Sequence, residues 1–485
     1  MTDHRLLIGG ELRPASGDAT YDNLSPVTGK ELGTAPDAST DDMAAAVGAA
    51  RDAFDHTGWA TDHALRARCL RQLHQALVEH TDELTELTIA EVGAPRSMCA
   101  TVQLAIPVDF LRHYADLLEG YEWRSDLGVA DTIGGPARRW TEREPVGVVA
   151  AITPWNVPTQ INLAKLAPAL AAGCTSVLKP APDTPWLGLV LGRLVAEHTD
   201  IPAGVLNVVT GSSNELGEAL TTDPRVDMIS FTGSTATGRR IMAVAAERVA
   251  KVFLELGGKS ALVVLDDVED LSGMALPAAF GSAAVAGQGC ALSTRILLPR
   301  ARYDEGVEAL ADMLAMLPPG DPDDAATMMG PLINSRQWDR VDGLVQQGLA
   351  EGARLVCGGR RPPGLPDGNF YEQTLLADVT SEMTVAQEEI FGPVLVAIPH
   401  DGDDDAVRIA NDSIYGLSGH VYSADEDRAL AVGRRIRTGT LSINGGVWYG
   451  ADVPFGGVKQ SGIGREMGVA GFEEYLEIKS YAAPT

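Results

Sequence analysis

Five segments of this 485-residue sequence hold side chains whose types and settings suit catalysis or ligand binding. The first is centred on Cys290 in Gly287-Gln288-Gly289-Cys290-Ala291-Leu292-Ser293-Thr294-Arg295. A lone cysteine is most often a small buried hydrophobe, but glycines bracket this one, and a helix starting beside it would favour the nucleophilic thiolate. The second is Glu255 in Leu254-Glu255-Leu256-Gly257-Gly258-Lys259. It reads either as a solvated turn residue paired with Lys259 or as a partly buried carboxyl with a raised pKa, fit to act as a general base. Asn156, within Thr153-Pro154-Trp155-Asn156-Val157-Pro158, is either a turn former or helix cap or an amide that donates to a developing oxyanion. Lys179 in Lys179-Pro180-Ala181-Pro182 follows a strand, where ligands of doubly wound sheets sit, although a single lysine there is more often solvated. The fifth segment, Phe231-Thr232-Gly233-Ser234-Thr235-Ala236-Thr237-Gly238, lies between a strand and a helix and suits an anion. Its G-x-x-x-x-G spacing has neither the lysine of a phosphate-binding P-loop nor the G-x-G-x-x-G of a Rossmann turn. No segment decides the chemistry alone; their combination does.

The elements that must position these residues follow from apolar periodicity. Residues 42–120 read mainly as amphipathic helices, with Cys69, Leu70, Leu73, Leu77, Leu84 and Leu87 at helical spacing. Short apolar strands then alternate with helices. The run 146–152 is a strand, Pro158 opens a helix that Gly173 closes, 175–178 is a strand and 185–198 a helix. The series continues through 205–209, 226–231, 252–254 and 262–265. Such alternation predicts parallel βαβ units and a doubly wound α/β sheet. A second α/β series spans about 270–450, with strands at 295–298, 394–398, 419–422 and 440–443. The segments 121–143 and 473–481 alternate polar and apolar residues outside both series, which predicts strands that pair between subunits.

Composition narrows the classes of partner. Lys and Arg number 38 against 66 Asp and Glu, a net charge of −28, which repels nucleic acid and anionic membranes. The five cysteines (Cys69, Cys99, Cys174, Cys290, Cys357) have neither metal-ligand spacing nor the density of a disulfide framework. The charge-free run 271–294 is long enough to span a bilayer, but Pro277 and several glycines argue against it. Met1-Thr2-Asp3-His4-Arg5 leads into a polar segment and not an apolar signal core. A soluble cytoplasmic protein with no metal site and no nucleic-acid or membrane partner is expected. The acidity is uneven: between Glu144 and Asp183 the only charges are Lys165 and Lys179, and between Asp227 and Glu247 only Arg239 and Arg240. A local anion site therefore remains compatible with the overall charge.

Taken together and in order, the motifs resemble those of the aldehyde dehydrogenase superfamily over essentially the whole chain. They are PWN at 154–156, FTGS-x-x-x-G at 231–238, LELGGKS at 254–260, GQGC at 287–290, EEIFGP at 388–393 and PFGG-x-K-x-SG-x-GRE at 454–466. The resemblance implies NAD(P)-dependent oxidation of an aldehyde to a carboxylic acid. Cys290 would attack as thiolate to give a thiohemiacetal, with Asn156 and the Cys290 backbone N–H as the oxyanion hole. Hydride would pass to the nicotinamide, and Glu255 would activate the water that hydrolyses the thioester. Lys165 and Glu466 match positions proposed to relay protons from Glu255. Cofactor contacts would come from Thr153, Trp155, Lys179, Gly217, Gly233, Ser234, Glu255, Gln337, Glu389 and Phe391.

The resemblance also implies an architecture: a five-stranded, Rossmann-like dinucleotide-binding domain (1–122 and 146–255), an α/β catalytic domain (256–455) and a β-ribbon oligomerisation arm (123–145 and 473–485). A homodimer or homotetramer follows from it. One departure bears on the cofactor: Pro182 stands where many NAD-preferring members carry a Glu, which removes the usual charge repulsion of a 2′-phosphate. NAD is expected, with NADP use open. Matched tunnel positions (Val157, Ile161, Ala164, Leu292, Trp448, Tyr449) are apolar or aromatic, pointing to a medium-chain aliphatic or aromatic aldehyde. The competing readings are a semialdehyde dehydrogenase of the same family, a cofactor-independent cysteine esterase, and a non-enzymatic binding or structural protein on the same fold.

Overall fold

The computed structural model describes residues 4–365 and 367–485, so Met1–Asp3 of the N-terminal reading lie outside the described residues. Its first sheet contains five parallel strands in the spatial order Lys251–Glu255, Met228–Thr232, Val148–Ile152, Thr175–Lys179, Leu206–Val208. Val148–Ile152 and Thr175–Lys179 are apolar and almost wholly buried, as strands covered on both faces must be. Between them runs the helix Pro158–Ala172, which has proline in its first turn and ends at Gly173, whose φ of 98° lies in the left-handed region that a glycine cap adopts without strain. The chain winds outward from Val148–Ile152 to Leu206–Val208, then returns to the other side at Met228–Thr232. Strand order therefore reverses between Val148–Ile152 and Met228–Thr232, and a crevice opens beyond their C-terminal ends.

Three short antiparallel strands extend this sheet. Leu6–Ile8 and Glu11–Arg13 lie on one edge and Gly462–Ile463 on the other. At two or three residues each they are too short to produce a periodic signal, which is why the sequence pattern does not reveal them.

The second sheet holds seven strands in the order Arg354–Cys357, Thr374–Ala377, Val394–His400, Ser293–Pro299, Ser260–Val264, Gly419–Tyr422, Ser442–Ile443, antiparallel only at the first pair. This corrects the periodicity reading, which runs the first series on through 262–265: that run belongs to the second sheet. The reason is local. Immediately after Glu255 the chain passes through Gly257 and Gly258 and crosses between sheets. A Cβ at Gly258 would stand 2.3 Å from the Cys290 carbonyl oxygen, so only glycine fits at this crossing. The same close approach brings the Cys290 loop of the second sheet against the end of Lys251–Glu255 in the first.

A third, antiparallel sheet joins Arg124–Thr132, Gly135–Pro145 and Leu476–Pro484. It is largely exposed, with Leu127, Val129, Ile133 and Ile478 facing solvent. No helix among the described residues is long and apolar enough to cross a membrane.

Candidate active site

The strand Lys251–Glu255 delivers Glu255 to the end of the first sheet, where the side chain is only 2% exposed. Burial pushes its carboxyl up to about 8, an effect opposed by hydrogen bonding to the Cys290 thiol and reinforced by the charge of Glu466. The alternative pairing with Lys259 does not form: the Lys259 ammonium is buried without a hydrogen-bond partner. Burial, aided by the nearby Arg295 guanidinium, lowers Lys259 to about 7.

Cys290 sits half-buried in the turn that precedes Ser293–Pro299. No helix begins beside it, contrary to the expectation; the helix Ser272–Ala283 and a short 3-10 turn, Ala284–Gly287, come before it. The electrostatic consequence is also reversed. Burial, then the Glu255 carboxylate facing it, raise the Cys290 thiol well above its ordinary range. In this geometry the sulfur favours its protonated form.

The Asn156 amide is 4% exposed and lies beside the Cys290 loop, where Nδ2 donates to the Gln288 carbonyl at 2.8 Å. An amide has two N–H groups, and this bond needs only one of them to fix the side chain. The Asn156 backbone carbonyl accepts from the buried Gln103 Nε2 at 3.1 Å. Neither this contact nor the one from Gln288 had a recognisable sequence signal, because both span long stretches of chain.

From Cys290 a cleft of about 620 Å³ runs along the switch point, lined by Trp155, Asn156, Gly233, Ser234, Glu255, Cys290, Gln337, Glu389 and Phe391 among others. Ser234 caps the helix Thr235–Ala246, accepting the Thr237 N–H at 3.2 Å, so the positive end of that helix faces the cleft. Glu389 accepts the Gly258 N–H at 2.8 Å, and burial raises its carboxyl to about 7. Gln337 Nε2 donates to the Phe391 carbonyl at 2.7 Å, and the Phe391 ring meets Trp155 edge to face at 5.4 Å. Arg340, one helical turn beyond Gln337, donates to the Glu389 carbonyl at 2.6 Å. Arg239, one of the charges the sequence places in the anion-favouring window, also lines the cleft; Arg340 and Tyr415 line it too but belong to no recognised motif, and only their positions in the folded chain reveal them.

Three expected cofactor positions are not on this lining. Thr153 is buried behind it, its hydroxyl donating to Asn162 Oδ1 at 2.7 Å. Lys179 and Gly217 lie together away from the lining, a Cβ at Gly217 standing 3.9 Å from Lys179 Cε. Burial lowers the Lys179 pKa. Lys165 Nζ donates to Glu466 Oε1 at 3.0 Å, both side chains being almost fully buried. The Lys165 ammonium also lies 4.8 Å from the centre of the Phe253 ring. The donor set suits a dinucleotide: a helix N-terminus and arginines for phosphate, a buried carboxylate for ribose hydroxyls, and aromatic edges for a flat ring.

Comparison with known proteins points the same way. The chain is 41% identical to 3-succinoylsemialdehyde-pyridine dehydrogenase of a Pseudomonas species, over 99% of this chain and 98% of that protein. It is 40% identical to geranial dehydrogenase of Castellaniella defragrans over the same shares. Among solved structures it resembles Mycobacterium tuberculosis aldehyde dehydrogenase complexed with NAD+ (TM-score 0.94, 44% identity, covering 99% of this chain and 98% of that one). It also resembles a mutant of aldehyde dehydrogenase C from Pseudomonas syringae complexed with NAD+ and octanal (TM-score 0.94, 38% identity, covering 100% and 98%). Residues 13–481 match the sequence model described as the Aldehyde dehydrogenase family, and with a cysteine, a buried glutamate and an amide gathered at the end of a dinucleotide-sized cleft, the chain belongs to that family.

Proposed function

We propose that this enzyme uses NAD+ to oxidise an uncharged medium-chain aliphatic or aromatic aldehyde to the carboxylic acid, with Cys290 as nucleophile. The observation that carries this reading is the gathering of the Cys290 thiol, the buried Glu255 carboxyl and the Asn156 amide on one cleft, with the Cys290 backbone packed against Gly258, three residues after Glu255. Glu255 accepts the thiol proton as sulfur bonds to the aldehyde carbon. The free N–H of Asn156 and the Cys290 backbone N–H hold the resulting oxyanion. NAD+, when bound, supplies the acceptor for the hydride that leaves the thiohemiacetal carbon. Glu255, once the thiol proton has been passed on to solvent, takes a proton from water as its oxygen adds to the thioester; the C–S bond breaks, the Cys290 sulfur leaves as thiolate and is reprotonated, and the acid departs. The Lys165–Glu466 pair lies close enough to act on Glu255 electrostatically, which supports a role in passing that proton on.

For the cofactor, Glu389 and Gln337 would hold the nicotinamide ribose, Gly233 and Ser234 the pyrophosphate, and Lys179 the adenosine ribose. Pro182 offers no carboxylate there, and Asp183 is engaged by Asn334 Nδ2 at 2.8 Å and by Arg336 at 3.8 Å. NAD+ remains the proposed partner, because Pro182 itself is not basic and the neighbouring Arg336 is paired with Asp183. On the substrate side, Ile161 and Ala164 share one face of the helix Pro158–Ala172, and Tyr449 packs between Phe110 and Trp448. Relatives named for geranial and crystallised with octanal support an apolar substrate. The exposed apolar residues of the third sheet support pairing with another copy of the chain, which light scattering on the purified protein would measure.

The test is NAD+ reduction at 340 nm across hexanal, benzaldehyde, betaine aldehyde and succinate semialdehyde, repeated with NADP+. The highest kcat/KM is expected for hexanal or benzaldehyde with NAD+. A clear preference for either charged aldehyde refutes the substrate class, and a preference for NADP+ refutes the cofactor choice.

A further inference from the structure

Gln288 is 2% exposed and uses every polar atom of its side chain. Nε2 donates to the Val285 carbonyl at 2.9 Å, and Oε1 accepts the Ile333 N–H at 3.0 Å. Its backbone carbonyl accepts from Asn156 Nδ2 at 2.8 Å. The first bond stitches a strained turn: Val285 and Ala286 have φ of 46° and 53°, a region costly for residues that carry a Cβ, and above all for a β-branched valine. That turn leads directly into Cys290.

The second bond ties the turn to the segment before the helix Ser335–Ala350. Ile333 precedes Asn334, whose side chain caps the helix Ser335–Ala350 by accepting the Gln337 N–H at 2.9 Å. The same helix carries Gln337 and Arg340, which hold the backbone of Glu389, Ile390 and Phe391. One buried amide therefore joins the nucleophile turn and the oxyanion amide to the element that faces the cofactor ribose.

We propose that Gln288 is a positioning residue that couples occupancy of the ribose end of the cleft to the geometry of the Cys290 turn. The inference rests on the reading of Cys290 and the dinucleotide cleft given above. Occupancy restrains the Ser335–Ala350 helix and the segment before it; the Gln288 Oε1 bond carries that restraint to the turn, and the bond to Val285 fixes the turn's backbone. Without the side chain, the two ends of the site respond to ligands independently.

ADP-ribose is the probe, since it carries both riboses and the pyrophosphate but no nicotinamide ring that would cover the thiol. Alkylation of Cys290 by iodoacetamide, read by peptide mass spectrometry on the full-length protein, should change at least about fivefold at saturating ADP-ribose. In Gln288→Met, which keeps the volume and removes both side-chain bonds, the change should fall below about 1.5-fold while ADP-ribose affinity stays within about threefold of wild type. An unaltered response in Q288M, or no response in the wild type, overturns the proposal. Should Q288M not fold, hydrogen exchange on the wild type decides. ADP-ribose must slow exchange in residues 286–289 together with Ile333, and protection confined to Ile333 overturns the coupling. A Cys290→Ala variant that still oxidises aldehyde would instead refute the nucleophile assignment, a separate outcome from either of these.

Discussion

Replacing Glu255 by Gln tests the mechanism most directly, because it removes a base while keeping the shape of its pocket. Burial is the largest influence on Glu255 and sets its carboxyl near 8. In the acyl-enzyme the sulfur carries the acyl group, so the hydrogen bond that lowers the Glu255 pKa is gone while burial remains, and the carboxyl stays at or above about 8. A group with a pKa of about 8 is about one tenth ionised at pH 7 and about nine tenths at pH 9. Deacylation that needs the carboxylate should therefore rise at least about tenfold between these values. E255Q should flatten that profile and lower kcat by about 10²- to 10⁴-fold, the usual contribution of a positioned base. Stability separates this loss from misfolding. A carboxyl whose folded pKa is raised contributes stability below its unfolded value near 4.5, and that contribution is lost as pH rises through about 8. E255Q should thus be at least as stable as wild type above pH 8, measured by urea midpoint. A variant that keeps more than a tenth of wild-type kcat, or a wild-type profile flat from pH 7 to 9, refutes the assignment of Glu255 as the base.

Three further outcomes follow from the same geometry. Asn156→Ala removes the free amide donor and should lower kcat about 10²- to 10³-fold with little change in cofactor affinity; a loss under fivefold removes Asn156 from the oxyanion hole. Lys165→Met leaves the Glu466 carboxylate, 5% exposed, without its partner and should cost about 3–5 kcal/mol in urea unfolding. An effect under about 1 kcal/mol would show that the pair adds nothing net. Lys259→Met removes a buried, unpartnered ammonium whose pKa is lowered to about 7 from 10.5. The unfolded chain binds more protons than the folded one between these values, so wild-type stability rises with pH across that window. The variant should gain a few kcal/mol below pH 7 and almost nothing above pH 10.5; equal gains at pH 6 and 10.5 contradict the burial argument.

The parallel strands and the helices between them were legible because each is a short apolar run bounded by proline or glycine. Pro158 and Gly173 bracket their helix as read, and the helix Pro185–His198 begins and ends where the pattern places it. Among the strands that were missed, two kinds have a plain physical reason. Leu6–Ile8, Glu11–Arg13 and Gly462–Ile463 are too short to carry a period. Arg354–Cys357 is an edge strand with arginine and partly exposed side chains, so its composition matches that of a loop. The run 262–265 was recognised as a strand but assigned to the wrong sheet, since nothing in an apolar run states which neighbour it will pair with.

Sequence by itself determined the side chains available for chemistry and the strand ends that carry several of them: Asn156 after Val148–Ile152, Ser234 after Met228–Thr232, Glu255 at the end of its own strand. These are local facts, set by residue type and by hydrophobic period. Tertiary structure alone decided their electrostatic states. Cys290 is 35 residues from Glu255 in the chain, yet the glycine crossing at 257–258 sets the two face to face, and burial there raises both the thiol and the carboxyl. The same holds for the isolation of Lys259 and for the amide of Gln288 bridging to Ile333. A pKa or a bridging hydrogen bond depends on the dielectric and partners that packing supplies, and those come from segments too distant in sequence for any local pattern to record.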